Sequence, residues 1–167
     1  MATYQIISDS CCDFTEQMYT ELDVAYAPLS VMYNGESHNN FSDEKAVKAF
    51  YDELRAGVMA TTSAANPDGW AAVMEPALKE GKDVLVLAFS SGLSTTVNSA
   101  HMAAEELKEA YPGRTVRIVD TRAASAGEGM MVYMAVLSAT LAIRKRTHIR
   151  MTAFDNYLPK KALIALD

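Results

Sequence analysis

The sequence is poor in the groups that usually announce a chemistry. Its 167 residues hold 2 cysteines, the adjacent Cys11 and Cys12. An adjacent pair offers no ordinary disulfide framework. The three histidines, His38, His101 and His148, stand in no metal-ligand spacing, and each reads as a surface or core residue. Basic residues do not dominate. The net charge is −6 and the pI is near 5.1, which argues against a general nucleic-acid binder. No apolar run reaches the ~18–20 residues of a spanning helix. The most membrane-like stretch, Met130 to Ile143, contains Ser138 and Thr140 and reads as a buried helix. The N-terminus shows neither a basic nor an apolar targeting segment, so the expectation is a soluble, cytoplasmic protein.

Familiar catalytic signatures are missing too. There is no Gly-x-Ser-x-Gly, because Phe89 stands two residues before Ser91. No Gly-Lys-Ser/Thr is present to cradle a phosphate. Gly127-Glu128-Gly129 lacks the third glycine of a dinucleotide fingerprint, since position 132 is Val. Cys11-Cys12 could be a reactive pair near a helix start; the plainer reading is two buried thiols. No catalytic residue, metal ligand or cofactor is assigned from the sequence.

What is present is material for a core. Half of the residues are hydrophobic and 22% are charged, which excludes a disordered chain and leaves one domain as the default. Charge shifts near residue 144. Residues 144–167 hold six Lys/Arg against two acids, and the preceding 143 residues carry a net −10. The organisation read here is an α/β domain over 1–143, followed at 144–167 by a basic tail or a fragment of a second domain.

The patterning alternates. Tyr4–Ser8 reads as a strand and Phe14–Leu22 as a short helix. Val24–Tyr33 is β-like, interrupted by Pro28 and closed by Asn34-Gly35. Ser42 is an expected N-cap for a helix bearing Val47, Phe50, Tyr51 and Leu54. A loop over Met59–Pro67, carrying Thr61-Thr62-Ser63, leads into a helix from about Asn66 that Pro76 should kink or split. Val84–Phe89 is a run of six apolar residues, as in a strand buried on both faces. A helix follows over Ser94–Ala110, then a strand over Val116–Val119 and a helix from near Ser125 to Ile143. This order predicts an α/β fold with a mostly parallel sheet and helices on both faces.

Parallel sheets bind ligands beyond the carboxyl ends of their strands. Those ends carry Ser8-Asp9-Ser10-Cys11-Cys12-Asp13, then Ser90-Ser91-Gly92-Leu93-Ser94-Thr95-Thr96, then Asp120 through Gly129. Hydroxyls of Ser91 and Ser94, free N–H groups at a helix start and the small Gly92 would suit a carboxylate or phosphate. The same residues are equally the material of ordinary caps and turns. Met130, Met131 and Met134 could shape a pliable apolar pocket, or simply be core.

Taken together, four segments resemble the DegV family of bacterial fatty-acid-binding proteins. They are Asp9-Ser10-Cys11-Cys12-Asp13; Thr62-Ser63; Ser90-Ser91-Gly92-Leu93-Ser94 with Ser99-Ala100; and Asp120-Thr121 through Ser125, Gly127 and Gly129. The resemblance covers residues 1 to about 143. Two positions depart from the family pattern. Ala64-Ala65-Asn66-Pro67 stands where Thr-Ser usually continues Gln-Pro, and Thr95 stands where Gly is usual. The resemblance implies a non-catalytic lipid carrier that presents a long-chain fatty acid to a fatty acid kinase subunit, which makes the acyl phosphate. It implies that Thr62, Ser63, Ser91, Gly92 and Ser94 hold the carboxylate, and that a second domain closes over the lipid. The rival class is a small-molecule hydrolase or transferase with Asp9, Asp13 or Asp120 as base near Ser91. A third is a non-binding remnant that dimerises through an apolar face along Met130–Ile143.

Overall fold

The structure, a computed structural model, describes residues 4–39 and 43–145, with side chains through 139. The chain divides into two units, Met1–Val136 and Leu137–Asp167. Both sheets and the loops at their strand ends belong to the first unit. Of the segment read as a basic tail, Arg144 and Lys145 end a helix, and 146–167 lie outside the described residues.

Four strands, β1 (Tyr4–Asp9), β2 (Val24–Ala27), β6 (Asp83–Ala88) and β7 (Val116–Asp120), form one sheet in the order β2-β1-β6-β7. Every pairing in it is parallel, with Ile6 opposite both Val24 and Leu85, and Val86 opposite Ile118. Side chains alternate across a strand, so the sheet has two apolar faces. Ile7, Val84, Val86 and Ala88 meet α3 (Pro67–Lys79) and α4 (Thr96–Ala110) through Trp70, Met74, Val97, Ala100 and Leu107. Ile6, Val24 and Leu87 face the other way, against Cys12, Phe14, Tyr19 of α1 (Glu16–Leu22) and Val132 of α5 (Ala126–Lys145). The expected α/β architecture, with helices on both faces, is what forms.

Local chemistry fixes the ends of these elements. The Asn66 side chain accepts from the Gly69 N–H at 2.7 Å, and Pro67 takes the first helical position of α3. The helix is not split at Pro76 but runs on to Lys79. A proline forfeits one backbone hydrogen bond there, and burial of Met74, Ala77 and Leu78 against the sheet outweighs the loss. Gly81 follows with φ of +76°, a left-handed conformation suited to glycine. Trp70, fully buried, donates from Nε1 to the Thr96 carbonyl at 3.1 Å and joins the first turns of α3 and α4.

Several expectations are corrected. Val24–Tyr33 is two strands in different sheets. β3 (Ser30–Tyr33) turns at Asn34-Gly35 into β4 (Glu36–Asn39), and Thr61–Ser63 is no loop but β5, antiparallel to β3. The small sheet has the order β4-β3-β5. Thr15, not Phe14, opens α1, accepting from the Met18 N–H. Asp43, not Ser42, caps α2 (Glu44–Arg55), accepting from Lys45 and Ala46; Ser42 lies outside the described residues. Met130, Met131, Tyr133 and Met134 are exposed rather than buried. The stripe through Glu128, Gly129, Val132, Ala135 and Val136 turns toward the sheet. His38 stacks on Tyr33, His101 is exposed on α4, and His148 lies outside the described residues.

The approach of α5 to the sheet has one hard contact. A Cβ built on Gly129 would lie 2.6 Å from the Cys12 carbonyl oxygen and 3.0 Å from the Phe14 ring. Gly127, two residues earlier, would meet only the Ala123 Cβ at 3.7 Å. Gly129→Ala should therefore cost roughly 1–3 kcal/mol by overpacking against backbone. Gly127→Ala should be neutral or stabilise by up to about 1 kcal/mol, as expected for glycine in a helix. Urea unfolding of the two variants checks the contrast; equal effects would refute it.

Candidate functional site

Three loops meet beyond the carboxyl ends of β1, β6 and β7. The first is pinned by Asp9, which is fully buried. Its Oδ2 accepts from the Phe89 N–H at 2.8 Å and its Oδ1 from the Cys11 N–H at 3.0 Å. One carboxylate thus ties the chain after β6 to the turn after β1. Ser10 Oγ accepts from the Leu29 N–H at 2.9 Å and brings in the β2–β3 connection. Asp13 and Ser125, both left-handed with φ of 56° and 54°, hydrogen-bond to each other and link the first loop to the last.

The second loop carries three of the five residues assigned to a ligand. Ser91 is exposed. Its Oγ–H donates to Asp120 Oδ2 at 2.5 Å and its N–H to Asp120 Oδ1 at 3.2 Å. The Arg122 N–H donates to that same Oδ1 at 3.0 Å. The Gly92 N–H is taken by Ser90 Oγ at 3.2 Å. Ser94 Oγ accepts from the Thr96 N–H at 3.2 Å and lies 2.8 Å from Thr96 Oγ1, as a helix-start hydroxyl does. Thr62 and Ser63 stand on the small sheet, opposite Val31 and Ser30 of β3, and both are exposed. Two residues further on, Ala65 is buried in the α3–α4 core.

The electrostatics distinguish the acids. Hydrogen bonds from the Ser91 hydroxyl and the Arg122 N–H hold the Asp120 carboxyl below the usual carboxylate range. A carboxylate so stabilised is a weak base at neutral pH. Burial raises Asp9, but its oxygens accept from Phe89 and Cys11 rather than from Ser91. Of the three acids that the hydrolase reading offers as a base for Ser91, Asp120 is the one that touches it; Asp9 bonds Phe89 and Cys11, and Asp13 bonds Ser125. Burial, and then the negative charge of Asp9, push the Cys11 thiol well up; burial also raises Cys12. Neither is poised as a thiolate. Among the described residues no group of three His, Cys, Asp or Glu could hold a metal ion, and no helix is long and apolar enough to cross a membrane.

Beside this edge, a groove of about 440 Å³ runs between the β1–α1 connection and α5. Cys12, Phe14, Met18, Gly129, Met130 and Met134 line it. The methionines are thus groove walls rather than core, with Met130 69% and Met134 58% exposed.

Sequence reasoning missed Glu128. It is fully buried beneath the start of α5, with Oε1 3.3 Å from the Ser8 hydroxyl and Oε2 without a hydrogen-bond partner. The signal was available. Glu128, Val132, Ala135 and Val136 share one helical stripe, and that stripe faces the sheet.

These features define a class: a parallel α/β domain, covered on both faces, whose carboxyl edge is hydroxyl-rich and already grips a carboxylate. A family model described as "Uncharacterised protein, DegV family" matches residues 3–140, and the chain belongs to that family. It is 43% identical over 136 residues to a DegV domain-containing protein of Clostridium perfringens, covering 81% of this chain and 47% of that protein. It is 33% identical over 142 residues to a DegV domain-containing protein of Streptococcus pyogenes, covering 82% of this chain and 47% of the other. The chain spans about half the length of the curated relatives it matches. Among solved structures, a Thermus thermophilus DegV family protein described as fatty acid binding superposes with a TM-score of 0.74 at 32% identity, over 92% of this chain and 51% of that one. A DegV lipid binding protein from Thermotoga maritima gives 0.72 at 26% identity, over 93% and 52%.

Glu128 makes stability depend on pH. Burial first, then the Asp9 charge, push its carboxyl from the usual 4.5 up to about 9. The folded chain holds this proton where the unfolded chain has released it. Stability therefore falls as pH rises from about 4.5 to about 9, and levels above that. For one group the slope is at most about 1.4 kcal/mol per pH unit. Glu128→Gln should flatten the decline between about pH 6 and 8.5, read by urea unfolding. An unchanged slope would remove Glu128 as its source.

Proposed function

We propose that this chain supplies the N-terminal half of a fatty-acid-binding protein. On this reading, Thr62, Ser63, Ser91, Gly92 and Ser94 surround the lipid carboxylate at the carboxyl edge of the large sheet. The acyl chain lies along apolar surface beyond it. The bound acid is presented in the cytoplasm to a fatty acid kinase subunit, which phosphorylates the carboxylate to an acyl phosphate. The protein itself carries out no chemical step.

One observation carries the reading. The Ser91 N–H and hydroxyl already bind a carboxylate, that of Asp120, in a two-point grip. A site that holds one carboxylate has donors suited to another. The fatty acid and lipid binding described for the Thermus and Thermotoga proteins supports the same chemistry. A chain of ~16 carbons gains ~0.8 kcal/mol per buried CH₂, so affinity depends on how much of it is covered. The exposed Met130 and Met134 offer part of that cover. The rest falls to further chain, since the relatives are about twice as long, or to a second copy.

The test is palmitate binding by calorimetry, preceded by mass spectrometry of lipid extracted from the purified chain. Ser91→Ala combined with Thr62→Ala should weaken palmitate roughly 10- to 100-fold, the value of one or two hydrogen bonds to a charged group. Both residues are exposed, so circular dichroism should not change. Unaltered affinity in the double variant would overturn the head-group assignment.

A further inference from the structure

The grip on Asp120 has a consequence for any ligand at Ser91. A serine hydroxyl has one proton to give. Here it points at Asp120 Oδ2, and the Ser91 N–H points at Asp120 Oδ1. Both donors that a lipid carboxylate would seek are in use. A second carboxylate placed on them would meet a like charge at contact distance, which strongly disfavours both ions together.

We infer that Asp120 is a built-in competitor for the head-group site: its carboxylate occupies the Ser91 donors in the free chain and must swing away before an external carboxylate binds. The inference rests on the function proposed above and deepens it. Three features support displacement rather than a fixed structural role. Asp120 is the last residue of β7, an edge strand of the large sheet, and its side chain is only half-buried. Its partners are the exposed residues Ser91 and Arg122, whereas the structural pin between the first two loops is the fully buried Asp9. Loop closure does not rely on it. Ser90 N–H donates to the Ala123 carbonyl at 3.1 Å, and Thr121 Oγ1 to the Ala88 carbonyl at 2.8 Å, so the second and third loops stay joined when the Asp120 side chain leaves.

The arrangement selects among ligands. A neutral hydroxyl or amide gains too little from the Ser91 donors to displace an ion, because hydrogen bonds to charged groups are about twice as strong. Only another anion exchanges on even terms. Apparent affinity is then lowered by the fraction of chains in which Asp120 is still seated.

The experiment uses two carboxylates of different size on the full chain, observed through the Ser91 amide resonance. In Asp120→Ala the Ser91 amide should shift upfield, and millimolar acetate should return it toward the wild-type position. Acetate should leave the wild-type Ser91 amide in place at the same concentration. Asp120→Asn keeps an acceptor and loses the charge, so it should bind palmitate at least about 3-fold tighter than wild type. Ser91→Ala in that background should abolish the gain. If acetate fails to move Ser91 in Asp120→Ala while circular dichroism shows a folded chain, the competitor assignment is overturned. It is also overturned if Asp120→Asn binds palmitate equally or more weakly. If acetate rescue succeeds but neither wild type nor Asp120→Asn binds palmitate, the competitor stands and the fatty-acid reading falls.

Discussion

The buried carboxylate of Asp9 organises the carboxyl edge of the large sheet. Asp9 sits where β1 ends, out of contact with water, and accepts the backbone N–H groups of Phe89 and Cys11. An ionised group is costly to bury unless it is well hydrogen-bonded, and two amides from different loops supply that compensation. The turn after β1 and the chain after β6 therefore cannot drift apart without leaving the charge unpaired. The other ties, Ser10 to Leu29 and Asp13 to Ser125, extend the same arrangement to the small sheet and to α5. Ser91 follows Phe89 by two residues and takes its place from this frame together with the Ser90–Ala123 bond.

Much of the large sheet was legible in the sequence because its signals are local. The apolar run at Val84–Phe89 reads as a strand covered on both faces, and it lies between β1 and β7. Asn66-Pro67 marked the start of α3, and Gly81 its end. The small sheet was not legible. Thr61-Thr62-Ser63 has no apolar member, and its strand character comes from pairing with Ser30–Met32, some thirty positions earlier. Pro76 misled for a related reason: a local rule predicted a break that tertiary burial of its neighbours overrides. The membrane-like look of α5 came from counting apolar residues. Its placement depends on which of them share a stripe.

The site was half legible. Hydroxyls at strand ends can be listed from the order of elements, and Ser91, Gly92 and Ser94 do lie just beyond β6. Their partners cannot be read in the same way. Nothing in the spacing of Ser91 and Asp120 says that one grips the other, since the contact crosses from β6 to β7. Ser94 hydrogen-bonds to Thr96 at the start of α4, a partner its position in the sequence does suggest. Glu128 sits between two glycines whose spacing suggests a nucleotide motif rather than a buried acid. Gly129 is there for a different reason, the approach of α5 to the Cys12 carbonyl. That approach is what carries Glu128 under the helix.

The order β2-β1-β6-β7 also sets a timetable for synthesis. β1 is interior in the finished sheet, but its second neighbour begins at Asp83. At ~5–20 residues per second, the ribosome leaves β1 as an edge for several seconds after it is made. During that interval Ile6 and Ile7 have β2 beside them and an open ladder on the other side. The nascent chain is thus most exposed to wrong strand pairing before its centre arrives, and the rate at which residues 28–82 are translated sets how long that lasts.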